Sequence, residues 1–222
     1  MSDPSTLPKK YAQERVLVVP RQSIEVAVQR QGVIPVTEQL LQLFANAKSM
    51  RRDLAEETLE FTQLVAYFVV VAGTDVLTHK RSKRQPEKRL TDIRAIGFSG
   101  HMTEMDLQTF SSRDLFHGNG ISGYANRELA EEVKVIISSE NPISMRCCLW
   151  DSYDDLGKQH IGLVFEVPIA GSFEILEPGL ITDAQFESLD DIRANLLDYT
   201  SWSQLLARST AGNDLLARWR EN

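Results

Sequence analysis

Ala125-Asn126-Arg127-Glu128-Leu129-Ala130-Glu131-Glu132-Val133 packs three carboxylates into five consecutive positions. At 100° per residue, Ala125, Leu129, Val133 and Ile136 fall on one helical stripe that packs inward. Glu128, Glu131 and Glu132 occupy an adjacent arc, with Glu132 nearest the apolar border. Glu128 and Glu132 stand four apart with the same sign, which costs an exposed helix about 0.2–0.5 kcal/mol. Within this helix neither has a cation three or four residues away, whereas Glu131 has Arg127 four before it and Lys134 three after. Crowded carboxylates at the edge of a core make sense if something positive binds them, and a hard divalent cation such as Mg2+ takes oxygen ligands. By itself a Glu-rich helix face is more often simply solvated, so the surrounding sequence decides.

Upstream, Ile93–His101 reads as a strand running into a glycine turn, and Leu64–Ala72 with Val76–His79 reads as a hairpin around Gly73-Thr74-Asp75. A basic stretch follows that hairpin, His79 to Arg84 and then Lys88-Arg89. Residues 111–123, with Gly118, Gly120 and Gly123, read as a loop, and helix is expected over Gly123–Val135. Downstream come strands at Arg146–Trp150 and Ile161–Ile169. Ser188 then caps a helix with Asp191 three residues on, and more helix follows over Trp202–Ala207. Toward the N-terminus, residues 1–14 read as a loose tail and Val16–Val19 as a strand stopped by Pro20. Ile24–Val28 alternates like a second extended piece. Thr37 caps a helix whose Leu40, Leu41, Phe44 and Ala47 recur at helical spacing, and the charged residues 50–60 extend it or connect onward. Strands alternating with helices predict an α+β fold, a mixed sheet with helices on its faces. The expected domain is 64–222, with residues 1–63 as an extension of tail, short strands and helix packing on it.

The chain has 222 residues, and 24 Lys+Arg against 31 Asp+Glu give a formal net charge of −7. That balance argues against binding a nucleic-acid polymer, which needs clustered positive charge. With 42% hydrophobic and 25% charged residues, the composition is that of a soluble globular protein. The apolar run Leu64–Gly73 is too short to span a bilayer, and MSDPSTLPKK has no apolar signal segment. The two cysteines, Cys147 and Cys148, are adjacent and frame no disulfide scaffold, so a cytoplasmic location without membrane attachment is expected. The histidines His79, His101, His117 and His160 lack the close spacing of a zinc site. Trp150, Trp202 and Trp219 are expected to pack rather than to stack on bases.

Arg127-Glu128-Leu129-Ala130-Glu131-Glu132 matches R-E-U-x-E-E, with U aliphatic, the helical core of the Nudix box G-x5-E-x7-R-E-U-x-E-E-x-G-U. Gly100 is followed after five residues by Asp106, which stands where the box has its first Glu. Ile96–Met102 resembles the strand and loop that enter the box, and Leu77–Arg81 resembles the strand that carries a basic residue before it. Ile161–Val167, Phe186–Ile192 and Trp202-Ser203 follow in similar order. Residues 64–207 thus resemble the Nudix family, most nearly its branch of predicted phosphoesterases. There are departures: the spacer between Asp106 and Arg127 is far longer than seven residues, Asp replaces Glu, and Lys134 stands where the box has Gly. That Gly normally ends the helix in a left-handed conformation.

The resemblance implies a Nudix-like α/β/α sandwich and metal-dependent cleavage of a phosphoanhydride in a nucleoside diphosphate-linked or related small molecule. It implies Glu128, Glu131 and Glu132 as ligands of Mg2+, or of Mn2+, with Arg127 orienting them and counted with them as catalytic. Glu166, Glu174 and Glu177 are candidates for a further carboxylate acting as base. Arg81, nearest the strand end, and His101, after the glycine turn, are the candidate substrate contacts. A homodimer is a further expectation. The competing reading is a catalytically silent binding or regulatory module on the same fold, with isomerase chemistry on carbon a third that no residue supports.

Overall fold

Strand β4 (Phe61–Ala72) is buried along almost its whole length and forms the centre of the molecule. Leu64, Ala66, Phe68 and Val70 face one core, while Tyr67, Val69 and Val71 face a second. Both faces are covered, which is why the strand reads as a continuous apolar run. The computed structural model describes residues 13–28, 30–82, 92–109, 119–153 and 155–209. The tail over 1–12, most of the basic stretch (83–91), His117 with Gly118, and Trp219 lie outside them.

Strand β10 (His160–Pro168) runs parallel to β4, with Ile161 beside Leu64 and Phe165 beside Phe68. Strand β5 (Asp75–Arg81) returns antiparallel from β4 through Gly73, whose φ of 58° suits a residue without Cβ. With β9 (Ser144–Trp150), β2 (Gly32–Pro35) and β12 (Ile181–Ser188), the sheet order is β12-β5-β4-β10-β9-β2. Strand β7 (Phe98–His101) also pairs with β4, placing Gly100 opposite Ala66 and His101 opposite Val65.

The first core is closed by helix α5 (Asn119–Glu132), which buries Tyr124, Ala125 and Leu129 against the sheet. Burying one such leucine contributes about 1.5–3 kcal/mol. The second core is closed by α7 (Leu189–Ala194) and α8 (Ser201–Arg208), through Ile192, Leu206 and Ala207. The mixed sheet with helices on both faces is the α+β sandwich that the alternation predicts. Cys147 and Cys148 are both buried, one in each core.

Residues 13–63 are woven into the same sheet. Strand β1 (Arg15–Pro20) pairs with β3 (Lys48–Arg51) and with β4, and β2 pairs with β9. The expected boundary after residue 63 therefore falls inside β4. Thr37 caps α2 (Glu38–Ala45), its Oγ1 accepting from the Leu40 N–H at 3.2 Å. The charged segment after residue 50 is the end of β3 followed by α3 (Arg52–Glu57). Ile24–Val28, expected to be extended, lies mostly in helix α1 (Arg21–Ala27), where Ile24 is buried and Val26 is 71% exposed. The alternation there reflects two anchors one turn apart, Ile24 and Val28, with an exposed valine between them.

Helix α5 starts earlier and stops earlier than its sequence pattern predicts. After Glu132 the chain turns extended as β8 (Val133–Lys134), which pairs with β11 (Glu174–Ile175). Lys134, lacking the left-handed freedom of glycine, thus follows the helix in a strand. Ile136, expected on the buried stripe, is 69% exposed as a consequence. No helix among the described residues is long and apolar enough to cross a membrane.

Candidate active site

The polar edge of α5 lies over β4 and β7 and bounds a narrow cleft of about 40 Å3, lined by Phe68, Phe98, Ser99, Glu128, Glu131 and Glu132. Glu128 and Glu132 are half-buried while Glu131 is exposed. The close approach depends on Gly100: a Cβ at that position would stand 1.9 Å from Oε2 of Glu128. One turn earlier on α5, the Tyr124 hydroxyl donates to the Gly100 carbonyl at 3.3 Å, tying helix to strand.

Asp106 lies in α4 (Glu104–Thr109) and is 4% exposed. Its Oδ2 accepts from the Thr103 N–H at 2.7 Å and from the Thr103 hydroxyl at 2.9 Å, the reciprocal part of a capping box. Its Oδ1 receives Nη2 of Arg127 at 2.6 Å, and the same nitrogen lies 2.7 Å from Oε1 of Glu128. The Arg127 guanidinium also lies over the Tyr124 ring, 5.1 Å from its centre. Helical spacing sets Arg127 beside Glu131; its ion pairs are instead to Glu128 and Asp106. Asp106 is a buried anchor for Arg127, across a spacer too long for the standard box.

Arg81, at the end of β5, supplies the positive charge that α5 lacks for Glu132. Its Nη2 is 3.9 Å from Oε1 of Glu132 and 3.4 Å from Oγ of Ser99. The other oxygen of Glu132, Oε2, is sealed from solvent with no hydrogen-bond partner among the described residues. Burial raises the Glu132 pKa above the usual range; Arg81 opposes this, while Glu177 and Glu131 reinforce it. Glu128 is pushed up to about 7 by burial, against Arg127 and with repulsion from Glu131 and Asp106. Among the described residues no three His, Cys, Asp or Glu side chains close on one point at ligating distance. A divalent cation nonetheless fits these donors, because it would satisfy the orphaned Glu132 oxygen and offset the desolvated charge beside it.

The structure does not bring His101 to this cleft. Gly100 faces α5, so His101, next along β7, points to the opposite face of the sheet. There its ring packs edge-on against His160, with centres 5.3 Å apart. Burial first, then Arg52 and His160, hold the His101 pKa well below its usual value. Glu166 likewise faces away from α5, 2% exposed and ion-paired with Arg146. Glu174 is bound to Lys134 at 3.3 Å. Glu177 alone of these three acts electrostatically on Glu132. Sequence reading missed Phe68, Phe98 and Ser99 as lining groups; for Phe98 and Ser99 the signal available was their position between Gly97 and Gly100 in the strand entering the box, whereas Phe68 comes to the cleft only through the pairing of β4 with β7.

A mixed sheet clasped by a helix that presents Arg-Glu-Leu-x-Glu-Glu at its polar edge is the fold of the Nudix hydrolases. The chain superposes on the crystal structure of Tm1382, a proposed Nudix hydrolase, with a TM-score of 0.70 over 92% of this chain and 99% of that one, at 22% sequence identity. It has the Nudix fold. In sequence it is similar to protein YmaB of Bacillus subtilis (strain 168), 29% identical over 157 residues that span 68% of this chain and 73% of that protein. The MutT NUDIX hydrolase from Burkholderia pseudomallei overlaps more loosely, with a TM-score of 0.45, 16% identity, and 67% of this chain and 98% of that one covered. No family model matches the chain.

Proposed function

We propose that the chain is a cytoplasmic, Mg2+- or Mn2+-dependent hydrolase of a phosphoanhydride bond in a small nucleoside diphosphate-linked or related diphosphate substrate. The observation that carries this reading is the Glu132 oxygen that is sealed from solvent without a partner, in a cleft it shares with Glu128 and Glu131. A fold that kept these carboxylates only as scaffold would gain nothing from burying an unpaired acceptor.

Glu128, Glu131 and Glu132 hold the cation. When bound, it screens the charge of two phosphates and favours attack of water on phosphorus. The chain's own residues do the rest. Asp106 holds Arg127, and Arg127 holds Oε1 of Glu128, so the carboxylate is aimed before substrate arrives. Arg81 reaches the cleft edge from β5, where its guanidinium takes a phosphate oxygen. Of the three outer carboxylates, Glu177 is the one whose charge reaches Glu132, which makes it the candidate for the base that receives the proton of the attacking water. Phe68 and Phe98 close the floor against bulk water.

The test is product formation, read by chromatography, from nucleoside triphosphates, dinucleoside polyphosphates, nucleotide sugars and prenyl diphosphates, with Mg2+ and with chelator, beside Glu132→Gln. Metal-dependent turnover of one class, lost in the variant, supports the hydrolase. Silence, with no Mg2+-induced thermal shift in the folded protein, overturns it and leaves a binding module.

A further inference from the structure

Three polar side chains from neighbouring strands meet on the face of the sheet opposite the carboxylate cleft: Gln63 of β4, His101 of β7 and His160 of β10. Gln63 is fully buried and His160 is 8% exposed. Nε2 of His160 lies 3.2 Å from the Gln63 carboxamide nitrogen, and the two imidazole rings stand edge to face, 5.3 Å between centres. Two atoms of the group, Oε1 of Gln63 and Nε2 of His101, are sealed from solvent with no hydrogen-bond partner among the described residues. Three strands therefore converge on a dry spot and leave unmet polar capacity there, which costs on the order of 1–3 kcal/mol per group.

The Gln63 amide oxygen carries lone pairs, and Nε2 of His101 does so in its Nδ1–H tautomer, so these two atoms together call for a lone-pair acceptor. Two imidazoles sharing one tetrahedral ion, with metal–nitrogen bonds near 2.0–2.1 Å, have ring centres about 5 Å apart, which is the spacing seen here. Turning the Gln63 carboxamide about its last bond exchanges nitrogen for oxygen without changing its shape, presenting the oxygen toward His160. The neighbouring cation, Arg52, is bonded to Glu14 and Glu56, which offset its charge. Imidazole nitrogen favours a borderline metal over Mg2+.

We infer that Gln63, His101 and His160 form a binding site for a divalent transition metal of the Zn2+ class, separate from the carboxylate cleft and independent of the hydrolase reading. With three protein donors, a tetrahedral ion keeps one position for water. The ion ties β7 to β4 and β10 directly beside Gly100, and so steadies the strand on which Glu128 rests.

The experiment is titration of the metal-stripped full chain with Co2+, in excess Mg2+ so that the carboxylate cleft does not report. Expected are one equivalent bound, visible absorption bands of a four-coordinate ion, displacement by Zn2+ and a rise in melting temperature. His101→Asn and His160→Gln should each weaken binding at least a hundredfold, while Glu132→Gln leaves it unchanged. Absence of Co2+ binding to the wild type overturns the site, as does binding lost with Glu132→Gln but kept in the histidine variants. If neither histidine variant folds, X-ray absorption of the Zn2+-loaded wild type decides. Scattering from two imidazoles supports the site, and an all-oxygen shell overturns it.

Discussion

Glu128 fills the space above Gly100: Oε2 of the glutamate stands 1.9 Å from where a Cβ on the glycine would be. Strand β7 thus passes under α5 with room for a hydrogen but not for a methyl group. The glycine at the start of the box-like segment is a steric condition for the carboxylate at its end. Gly100→Ala pushes Glu128 aside at an overpacking cost of about 1–3 kcal/mol. The expected outcome is a folded protein by circular dichroism with metal-dependent turnover reduced at least tenfold and a smaller Mg2+-induced thermal shift. Unchanged turnover would falsify this dependence.

Glu128 titrates near 7 rather than at its ordinary 4.5, chiefly because burial disfavours its charge. Between those values the folded chain holds a proton that the unfolded chain has released, so stability rises as pH falls through the window and is lost as pH rises through 7. Glu128→Gln removes the charge. Without metal, the variant should be more stable than wild type at pH 8 by about 1–3 kcal/mol, with the gap closing toward pH 5. Urea unfolding at the two pH values measures it.

Asp106 is buried and anchored by both donors of Thr103, and its second oxygen carries Arg127. Asp106→Asn keeps the shape and removes the charge. Stability should fall by about 1–2 kcal/mol, and turnover should fall beyond what the lost folded fraction explains, because Glu128 loses its guide. A loss confined to stability assigns Asp106 to the helix cap alone.

Glu166 sits in an ion pair with Arg146 on the face away from α5. Glu166→Gln should destabilise the protein by about 1–3 kcal/mol, by leaving a half-buried guanidinium less well neutralised. The folded variant should retain metal-dependent turnover. A folded but inactive Glu166→Gln protein would return this residue to the list of catalytic bases.

His79 is fully buried, stacks on Phe98 with ring centres 4.4 Å apart, and has no partner for either ring nitrogen among the described residues. Burial lowers its pKa to about 3, with Arg81 and Arg94 adding to the effect. Between about 3 and its ordinary 6.5 the unfolded chain takes up a proton that the folded one refuses, so the wild type loses stability as pH falls through that range. His79→Phe should be about 1 kcal/mol more stable at pH 7, and its advantage should widen at pH 5. Equal denaturation midpoints at both values would show that bound water already satisfies the imidazole.

Much of the site is local and therefore legible. Arg127, Glu128, Glu131 and Glu132 lie on one helix whose periodicity fixes their arc, and Thr37 and Ser188 cap their helices as their spacing predicts. What escaped the sequence is non-local. Helical spacing sets Glu131, four residues on, beside Arg127, and only the seating of α5 against α4 brings Asp106 in to draw Arg127 toward Glu128 instead. His101 follows a glycine turn and looks like a cleft residue, yet strand alternation sends it through the sheet. Ile24–Val28 obeys a period of two over too few residues to exclude one helical turn.

The order of strands, the acidic helix and the Nudix-like pattern follow from the sequence itself, because hydrophobic period and residue spacing act along the chain. Which carboxylate is desolvated, which arginine neutralises it and which histidine faces away were decided by tertiary packing. Burial, dielectric and the side of a strand depend on residues distant in sequence: Gly100 beneath Glu128, Arg81 against Glu132, and His160 beside His101.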